Sequence, residues 1–373
     1  MNLENWPAYI FYAFCAVAAI QLFYYWFFFS RLAFHRPKTK TVTQTHPVSV
    51  IICARDESRN LLNNLPGILA QEYPYTHELV VVNDNSYDDS RFILEQFQKE
   101  FKHMNIIELT EKAKFVQGKK FPLSVGIKAS KYEVLLLTDA DCIPSSEHWM
   151  EKMQQAFNDD VQIVLGYGAY KKRKGWLNKL IRFETVHTAL QYMSYALAGK
   201  AYMGVGRNLA YRKELFYKHK GFSAHNKIPG GDDDLFVNTA ATSRNTAIVI
   251  DPETFTYSNP KKTWGEWYRQ KKRHFSTGRF YKTGHKFLLA LYAFTQLLVY
   301  PLAVTAALFY DWRYAAGVWA LRFISMSFIW FRVLNKLKEK DLKPWILFFD
   351  IWMMFYLLIF TPATWKKIKP GWN

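Results

Sequence analysis

Residues 7–29 contain no charged side chain. Such a run has about the length that a helix needs to cross a hydrocarbon core of roughly 30 Å. It lacks the short apolar stretch and small-residue cleavage site of a removed signal peptide, and reads as a retained membrane helix. Glu4 precedes it, whereas Arg31, His35, Arg36, Lys38 and Lys40 follow it. Positive charge gathers on the cytoplasmic side of membrane helices. The amino terminus is therefore expected outside and the next domain in the cytoplasm.

The carboxy-terminal third repeats the pattern. Residues 287–309 are uncharged and long enough to span, 314–331 is shorter and carries Arg322, and 344–360 is shorter again and carries Asp350. A lone charge inside a span is costly unless it is paired or faces a cavity. Pairing of Arg322 with Asp350 across two helices would meet that requirement. The other reading lays one of these segments in the membrane interface. The charge rule conflicts with itself here. Four full spans put Lys366, Lys367 and Lys369 outside, while an interfacial last segment returns them to the cytoplasm. The expected architecture has one amino-terminal and two to three carboxy-terminal transmembrane helices.

Apolar residues make up 50% of the chain, enough for one large core with apolar sequence left over for the membrane. The net charge of +18 suits anionic lipid headgroups, phosphorylated substrates or nucleic acid. The sequence carries no zinc-finger spacing, RNA-recognition signature or basic low-complexity tail, and nucleic acid is set aside as a partner. Cys15, Cys53 and Cys142 form neither a CxxC pair nor an even framework. Free thiols in a reducing compartment fit a cytosolic domain.

Between the apolar ends, residues from about 48 to 257 alternate between two patterns. Short β-branched or aliphatic runs at 48–53, 78–82 and 133–138 predict buried parallel strands; apolar spacing at 61–71, 90–101 and 149–157 predicts helices. This α/β alternation predicts a mostly parallel sheet covered on both faces, with ligands at the carboxyl ends of the strands.

Acidic clusters fall where that rule places a site. NDNSYDD, with Asp84 and Asp88, follows the second strand, and TDADC, with Asp139 and Asp141, follows a later one. Two carboxylates one residue apart can hold a hard divalent cation, Mg or Mn, while turns also favour Asp for their own hydrogen bonds. GGDDDLF, residues 230–236, sets three adjacent carboxylates after two glycines. Mutual repulsion raises at least one pKa, as a general base requires, and a helix amino terminus would favour the same residues as caps. Residues 261–286 mix Trp264, Trp267, Tyr268, Phe275 and Phe280 with Lys271, Lys272, Arg273 and Arg279. This stretch reads either as an interfacial anchor or as a phosphate-binding segment. Residues 176–197 read either as an amphipathic helix at the membrane surface or as a core helix.

In order, these elements resemble the family-2 glycosyltransferases, inverting enzymes with a GT-A fold, over about 48–280. The parts are VSVIICARDESRNL, VVVNDNSYDDS, the GK of GKKFPLSVGIKAS, LLLTDADC, GGDDDLF and QKKRH. The membrane subgroup carries Q-x-x-R-W before its last spans; Gln270 and Arg273 match it, and His274 replaces the Trp. The resemblance divides the chain into a membrane helix (7–29), a GT-A catalytic domain (46–260), a basic aromatic segment (261–286) and further membrane helices (287–361). It implies that Asp84 contacts the nucleobase, Asp139 the ribose and diphosphate, and Asp141 a metal, with Asp139 and Asp141 as the metal pair. Lys119 would sit near the nucleotide, and Asp56 and Glu57 would line its site. The base falls on Asp232, counted back from Leu235, with Asp233 as the alternative register. Trp264, Trp267 or Phe275 would supply the aromatic platform that His274 lacks.

The implied reaction is one in-line displacement that transfers a sugar from a nucleotide-sugar, with a lean to UDP, and inverts its configuration. A site beside membrane spans suggests a lipid or lipid-linked acceptor, with membrane lipids as further partners. YMGVGRNLAYRKELF, residues 202–216, resembles the family's acceptor-side segment. The subgroup also includes processive synthases such as those of hyaluronan and cellulose. Two readings from other classes are a haloacid-dehalogenase-like phosphatase and a non-catalytic membrane binding module. The phosphatase motif wants a hydroxyl residue soon after its second Asp, where this chain has Cys142, Ile143 and Pro144. Decay to a binding module should have removed at least one acidic cluster, and all are present. The chain is expected to be a multi-pass membrane protein with a cytoplasmic catalytic domain, in the inner or plasma membrane if bacterial.

Overall fold

An uninterrupted apolar sequence has no cause to leave the helix. In the computed structural model, α1 (Trp6–Phe23) passes through a π-helical stretch, Tyr24–Phe29, into α2 (Ser30–Phe34). The structure describes residues 5–36, 45–110, 118–228 and 230–365. Of the flanking charges considered above, Glu4, Lys38, Lys40, Lys366, Lys367 and Lys369 lie outside the described residues.

The β-branched run becomes β1 (Val48–Ala54), buried along its whole length. Then follow α3 (Ser58–Leu69), β2 (His77–Asp84), α4 (Ser90–Glu100), β3 (Met104–Leu109), α5 (Lys120–Ala129) and β4 (Val134–Asp139). Strands β3, β2, β1 and β4 are neighbours in that order and all parallel. The register sets Ala54 opposite Asn83 and Cys53 opposite Asp139, so β1, β2 and β4 end level with one another.

Beyond β4 the simple alternation stops. The chain forms β5 (Cys142–Pro144), α6 (Trp149–Gln154), β6 (Ile163–Leu165), β7 (Gly168–Tyr170) and the long α7 (Trp176–Leu197). It continues through β8 (Leu209–Arg212), α8 (Lys213–Lys218), α9 (Asp234–Ala240), β9 (Thr246–Ile248) and β10 (Thr256–Ser258). Strand β8 is antiparallel to both β4 and β6, and completes a seven-stranded sheet, β3-β2-β1-β4-β8-β6-β9. A second sheet, β5-β10-β7, stands apart from it. Its three strands have three residues each, too few to carry a legible alternation.

Helix α10 (Trp264–Thr277) starts at a capping box formed by Thr263 and Glu266 and leads to α11 (Thr283–Ala306), α12 (Trp312–Lys336) and α13 (Ile346–Phe360). Among the described residues, three helical stretches are long and apolar enough to cross a membrane: Trp6–Phe34, Thr283–Lys336 and Lys340–Thr364. The second contains two helices, because the backbone extends at Asp311 (φ −156°, ψ 120°) and its carboxylate caps α12. Trp6 meets Phe309, and Phe11 stacks on Tyr310, at the end of the bundle away from the sheet. At the near end Lys336 Nζ donates to the His35 carbonyl at 2.5 Å.

Arg322 and Asp350 do pair across two helices. Arg322 also donates to Gln21 at 2.6 Å, Gln296 at 3.1 Å and Tyr25 at 3.2 Å, so one fully buried guanidinium joins α1, α11, α12, α13 and the π-helical stretch after α1. Helix α13 touches the sheet-bearing half at both ends. Its first turns stack Phe349 on Phe183 of α7 at 4.2 Å, and its last residue, Phe360, packs on Trp267 of α10 at 5.4 Å. Helix α7 is a core helix, not an amphipathic surface one. It is buried on nearly every side from Asn178 to Ala196, with Tyr192 bonded to the Gly166 carbonyl at 2.7 Å and Phe183 stacked on Trp330 of α12.

Candidate active site

The level strand ends bring their following residues together at one rim. Asp56, just past β1, takes a left-handed backbone (φ 54°), which a non-glycine residue adopts only when held there. Its N–H donates to Ser86 Oγ at 2.9 Å, and its carboxylate accepts from the Tyr87 N–H at 2.7 Å. Asp56 therefore ties the turn after β1 to the turn after β2. Asp84 ends β2 with Arg55 at 3.9 Å. Asp88, from the same acidic turn, does something different: it accepts from the N–H groups of Ser58 and Ser90 and anchors the starts of α3 and α4.

Asp139 ends β4 and forms an ion pair with Lys119, the residue before α5. Burial alone would raise the Asp139 pKa, but Lys119, then Arg207 and Arg273, hold it below the usual carboxylate value. Asp141 is pushed the other way, by burial first and by Asp139 second. Oxygens of Asp139 and Asp141 and the Cys142 sulfur lie within 4.8 Å of one another. Paired carboxylates with an unmet need for positive charge suit a hard divalent cation, with the aspartates as ligands. Glu57 is near enough to feel them: burial raises its pKa, and Asp141 and Asp139 add to the rise.

The glycine pair before α9 brings the third cluster to the same rim. Gly231 has φ 84°, and a Cβ there would stand 2.5 Å from the Leu235 side chain. Each of the three aspartates that follow has a different environment. Asp234 is buried and accepts from Thr277 at 2.5 Å and Tyr281 at 2.8 Å, which fastens α9 to the end of α10. Asp233 accepts from the N–H groups of Gly206 and Asp234, each at 2.7 Å, and burial with its two acidic neighbours raises its pKa to about 8. Asp232 accepts no hydrogen bond from the described residues, and its charge reaches Lys119 and Lys120. The buried Lys120 holds the preceding loop by donating to the carbonyls of His225 and Ile228 at 2.6 Å.

Helix α10 divides its faces cleanly. Trp267, Lys271 and Phe275 face inward on α7 and α13: Lys271 pairs with the buried Glu184, and both aromatics pack on Phe360. Gln270, Arg273 and Thr277 lie on the other face, with Gln270 Nε2 donating to the Tyr170 hydroxyl at 3.3 Å and Arg273 close enough to lower Asp139. Trp267 and Phe275 are thus spent on packing, which corrects the expectation that either supplies the missing aromatic platform. Of the three, Trp264 alone stays half exposed. The rim thus gathers residues from five separate segments: Asp84, Lys119, Asp139 with Asp141, Asp232 and Arg273. Sequence reasoning missed Arg207 and Tyr170, which stand beside Asp139 and Gln270.

The glycosyltransferase-like family 2 model matches residues 46–277, well over half of the chain. The probable glycosyltransferase YdaM of Bacillus subtilis is 25% identical over 232 residues, 61% of this chain and 54% of that protein. The poly-beta-1,6-N-acetyl-D-glucosamine synthase of Staphylococcus epidermidis is 28% identical over 123 residues, 32% of this chain and 28% of the synthase. The chain therefore spans about half, or less, of the length of these relatives. Among solved structures, the mannosyltransferase PcManGT from Pyrobaculum calidifontis, in complex with GDP-Man and Mn2+, superposes with a TM-score of 0.61 at 18% identity, over 97% of this chain and 99% of that one. That likeness carries the whole fold, membrane helices included. With its family match, its GT-A-like sheet and its rim of acidic strand ends, this chain belongs to glycosyltransferase family 2.

Proposed function

We propose that the chain is an inverting transferase that moves a sugar from a nucleoside-diphosphate sugar to a lipid or lipid-linked acceptor at the cytoplasmic face of a membrane. The observation that carries this reading is the meeting of Lys119, Asp139, Asp232 and Arg273 at one rim, on elements that lead straight into a membrane helix. Asp84, Asp56 and Glu57 form the nucleoside side of the pocket. Asp139 and Asp141 would hold a divalent cation, Mn or Mg. When bound, it supplies positive charge to the departing diphosphate. Lys119 and Arg273 hold the same diphosphate from the protein side. Asp232 takes the proton from the acceptor hydroxyl, whose oxygen attacks the anomeric carbon as the bond to the diphosphate breaks. Asp232 suits this task better than Asp233, whose two oxygens already accept backbone N–H groups.

Gln270 and Arg273 support our reading of the chain as one of the membrane subgroup marked by Q-x-x-R-W, with His274 in the Trp position. We read α1, α11 and α12 as three crossings and α13 as a re-entrant helix, because both its ends rest on the sheet-bearing half while its Asp350 reaches Arg322 within the bundle. Three crossings keep the catalytic domain and the carboxy-terminal lysines on one side, which removes the conflict in the charge rule. The centre of the bundle is filled by Gln21, Gln296, Arg322 and Asp350, all buried. This packing supports transfer to a lipid over extrusion of a polymer between these helices, although one relative is a polysaccharide synthase.

The test is a panel of labelled nucleotide-sugars incubated with purified membranes and Mn2+ or Mg2+, followed by separation of lipid from polymer. Label from a UDP-sugar in the lipid fraction is the expected result. Label from GDP-mannose instead would overturn the UDP lean, and label in long polymer would overturn single transfer. No transfer from any donor, with an Asp232→Asn variant indistinguishable from the parent, would leave a binding module.

A further inference from the structure

We propose that Lys271 and Glu184 are positioning residues of the donor site: their buried ion pair fixes the rotation of α10 and so turns Arg273 toward the diphosphate. The proposal rests on the reading of Arg273 as a diphosphate contact.

Lys271, Lys272 and Arg273 are consecutive cations, on a helix with aromatic residues at 264, 267, 268 and 275. Such a run does not choose which cation turns inward. Apolar contact does not choose either. Phe360 of α13 meets Trp267 and Tyr268 at 5.4 Å each and Phe275 at 5.7 Å, so its ring receives neighbours from more than one face of α10. Neighbouring helical residues stand about 100° apart. Turning α10 by one residue would bring Tyr268 to the place of Trp267 and Lys272 to that of Lys271, and would carry Arg273 away from the cleft.

The ion pair makes the choice. Lys271 Nζ meets Glu184 Oε2, with both side chains buried, whereas Lys272 is exposed. The other carboxylate oxygen, Oε1, accepts from Thr188 Oγ1 at 3.2 Å, one turn along the core helix α7. The anchor is therefore fixed on the interior of the catalytic half. The ends of α10 have their own ties: the Thr263–Glu266 capping box at the start, and the Thr277 hydroxyl on Asp234 at the finish. Lys271 holds the turn between them. With Lys271 inward, Gln270 reaches the Tyr170 hydroxyl and Arg273 lies on the face away from Glu184.

Stability alone gives no reason for charge at this place. Two buried ions lose their hydration, and an apolar pair of similar size often serves a fold as well or better. The ion pair adds exclusivity. An apolar contact tolerates a slipped helix, whereas a slip here would leave Glu184 buried without its counter-charge. A pair that served folding alone would act independently of Arg273, and the effects of losing both would add.

The experiment is titration calorimetry of UDP and of GDP, each with Mn2+, into the detergent-purified full chain, with the tighter of the two followed in the variants. Arg273→Gln should weaken its binding about tenfold, as expected for one charge-assisted contact. The apolar pair Glu184→Leu, Lys271→Met should weaken it by a similar factor per folded molecule. Combined with Arg273→Gln, the apolar pair should add less than about twofold, because the contact it misdirects is already gone. Glu184→Gln loosens the hold on Lys271, and its smaller loss should vanish on the Arg273→Gln background in the same way; it decides the matter if the apolar pair does not fold. Parent-like affinity in the apolar pair, or losses that add in full to that of Arg273→Gln, would overturn the proposal. Arg273→Gln alone is the separate arm. If it binds the nucleotide as tightly as the parent, or if the parent binds neither nucleotide, the reading of the donor site falls and the proposal with it. If Arg273→Gln loses affinity while the apolar pair keeps it, the proposal falls alone.

Discussion

Two of the buried clusters of charge among the described residues are built on opposite terms. In the membrane-side cluster the Asp350 carboxylate accepts from Arg322, Gln296 and Tyr300, and the guanidinium finds Gln21, Gln296 and Tyr25 beyond its ion pair. Every strong donor and acceptor there is answered from within. At the sheet rim, Asp232 accepts no hydrogen bond from the described residues and Asp141 is held above its ordinary pKa. A saturated cluster lowers the cost of burying charge and has nothing left to offer a ligand. An unsaturated one keeps acceptors free for a ligand. The difference separates scaffold from site without reference to sequence similarity.

The comparison breaks most visibly at Asp232. Asp232→Asn should lower transfer about a thousandfold while the unfolding midpoint in detergent stays close to the parent's. A large loss of stability would put Asp232 with the scaffold. Arg322→Leu should do the opposite: a carboxylate left alone in the bundle costs about 3–5 kcal/mol, read as loss of folded protein, with normal turnover per folded molecule. The double variant Arg322→Leu, Asp350→Leu should recover much of that loss. Next in size, Asp141→Asn should cut activity about a hundredfold and abolish its dependence on added Mn2+ or Mg2+.

Two smaller effects sharpen the contrast within the acidic triplet. Burial and its neighbours raise the Asp233 pKa to about 8. A raised carboxyl pKa favours the folded state fully below the ordinary carboxylate range, and that contribution is lost as pH rises through about 8. Asp233→Asn should therefore flatten the decline of the unfolding midpoint between about pH 4 and 8, whatever its effect at a single pH. Tyr281→Phe removes one hydrogen bond to the buried Asp234 and should cost about 1.5 kcal/mol in stability, with a lesser fall in turnover.

Much of this contrast was legible in the sequence, and the illegible part has a common cause. Asp139 and Asp141 announce themselves because they end a buried aliphatic run, where carboxylates need a reason to be. Arg322 and Asp350 announce themselves as lone charges in apolar segments. Asp88 did not separate from Asp84, since a turn that caps two helices and a turn that binds a ligand both ask for acidic residues. Arg207 stayed hidden because its partners Tyr170 and Ser258 lie on strands of three residues that lack a period. For α13 the sequence left two readings, a crossing by composition and an interfacial segment by the charge rule, and its contacts with Phe183 and Trp267 could not be read from either.

Helix α7 is buried all round: the sheet covers one side, and the last of its partners to be made, α12 and α13, cover the other. Those partners leave the ribosome long after α7 does. During synthesis the nascent enzyme must therefore hold an open, sticky seam until α12 and α13 arrive. Cutting the anchors away would not release a soluble enzyme; it would freeze the chain at that unfinished stage.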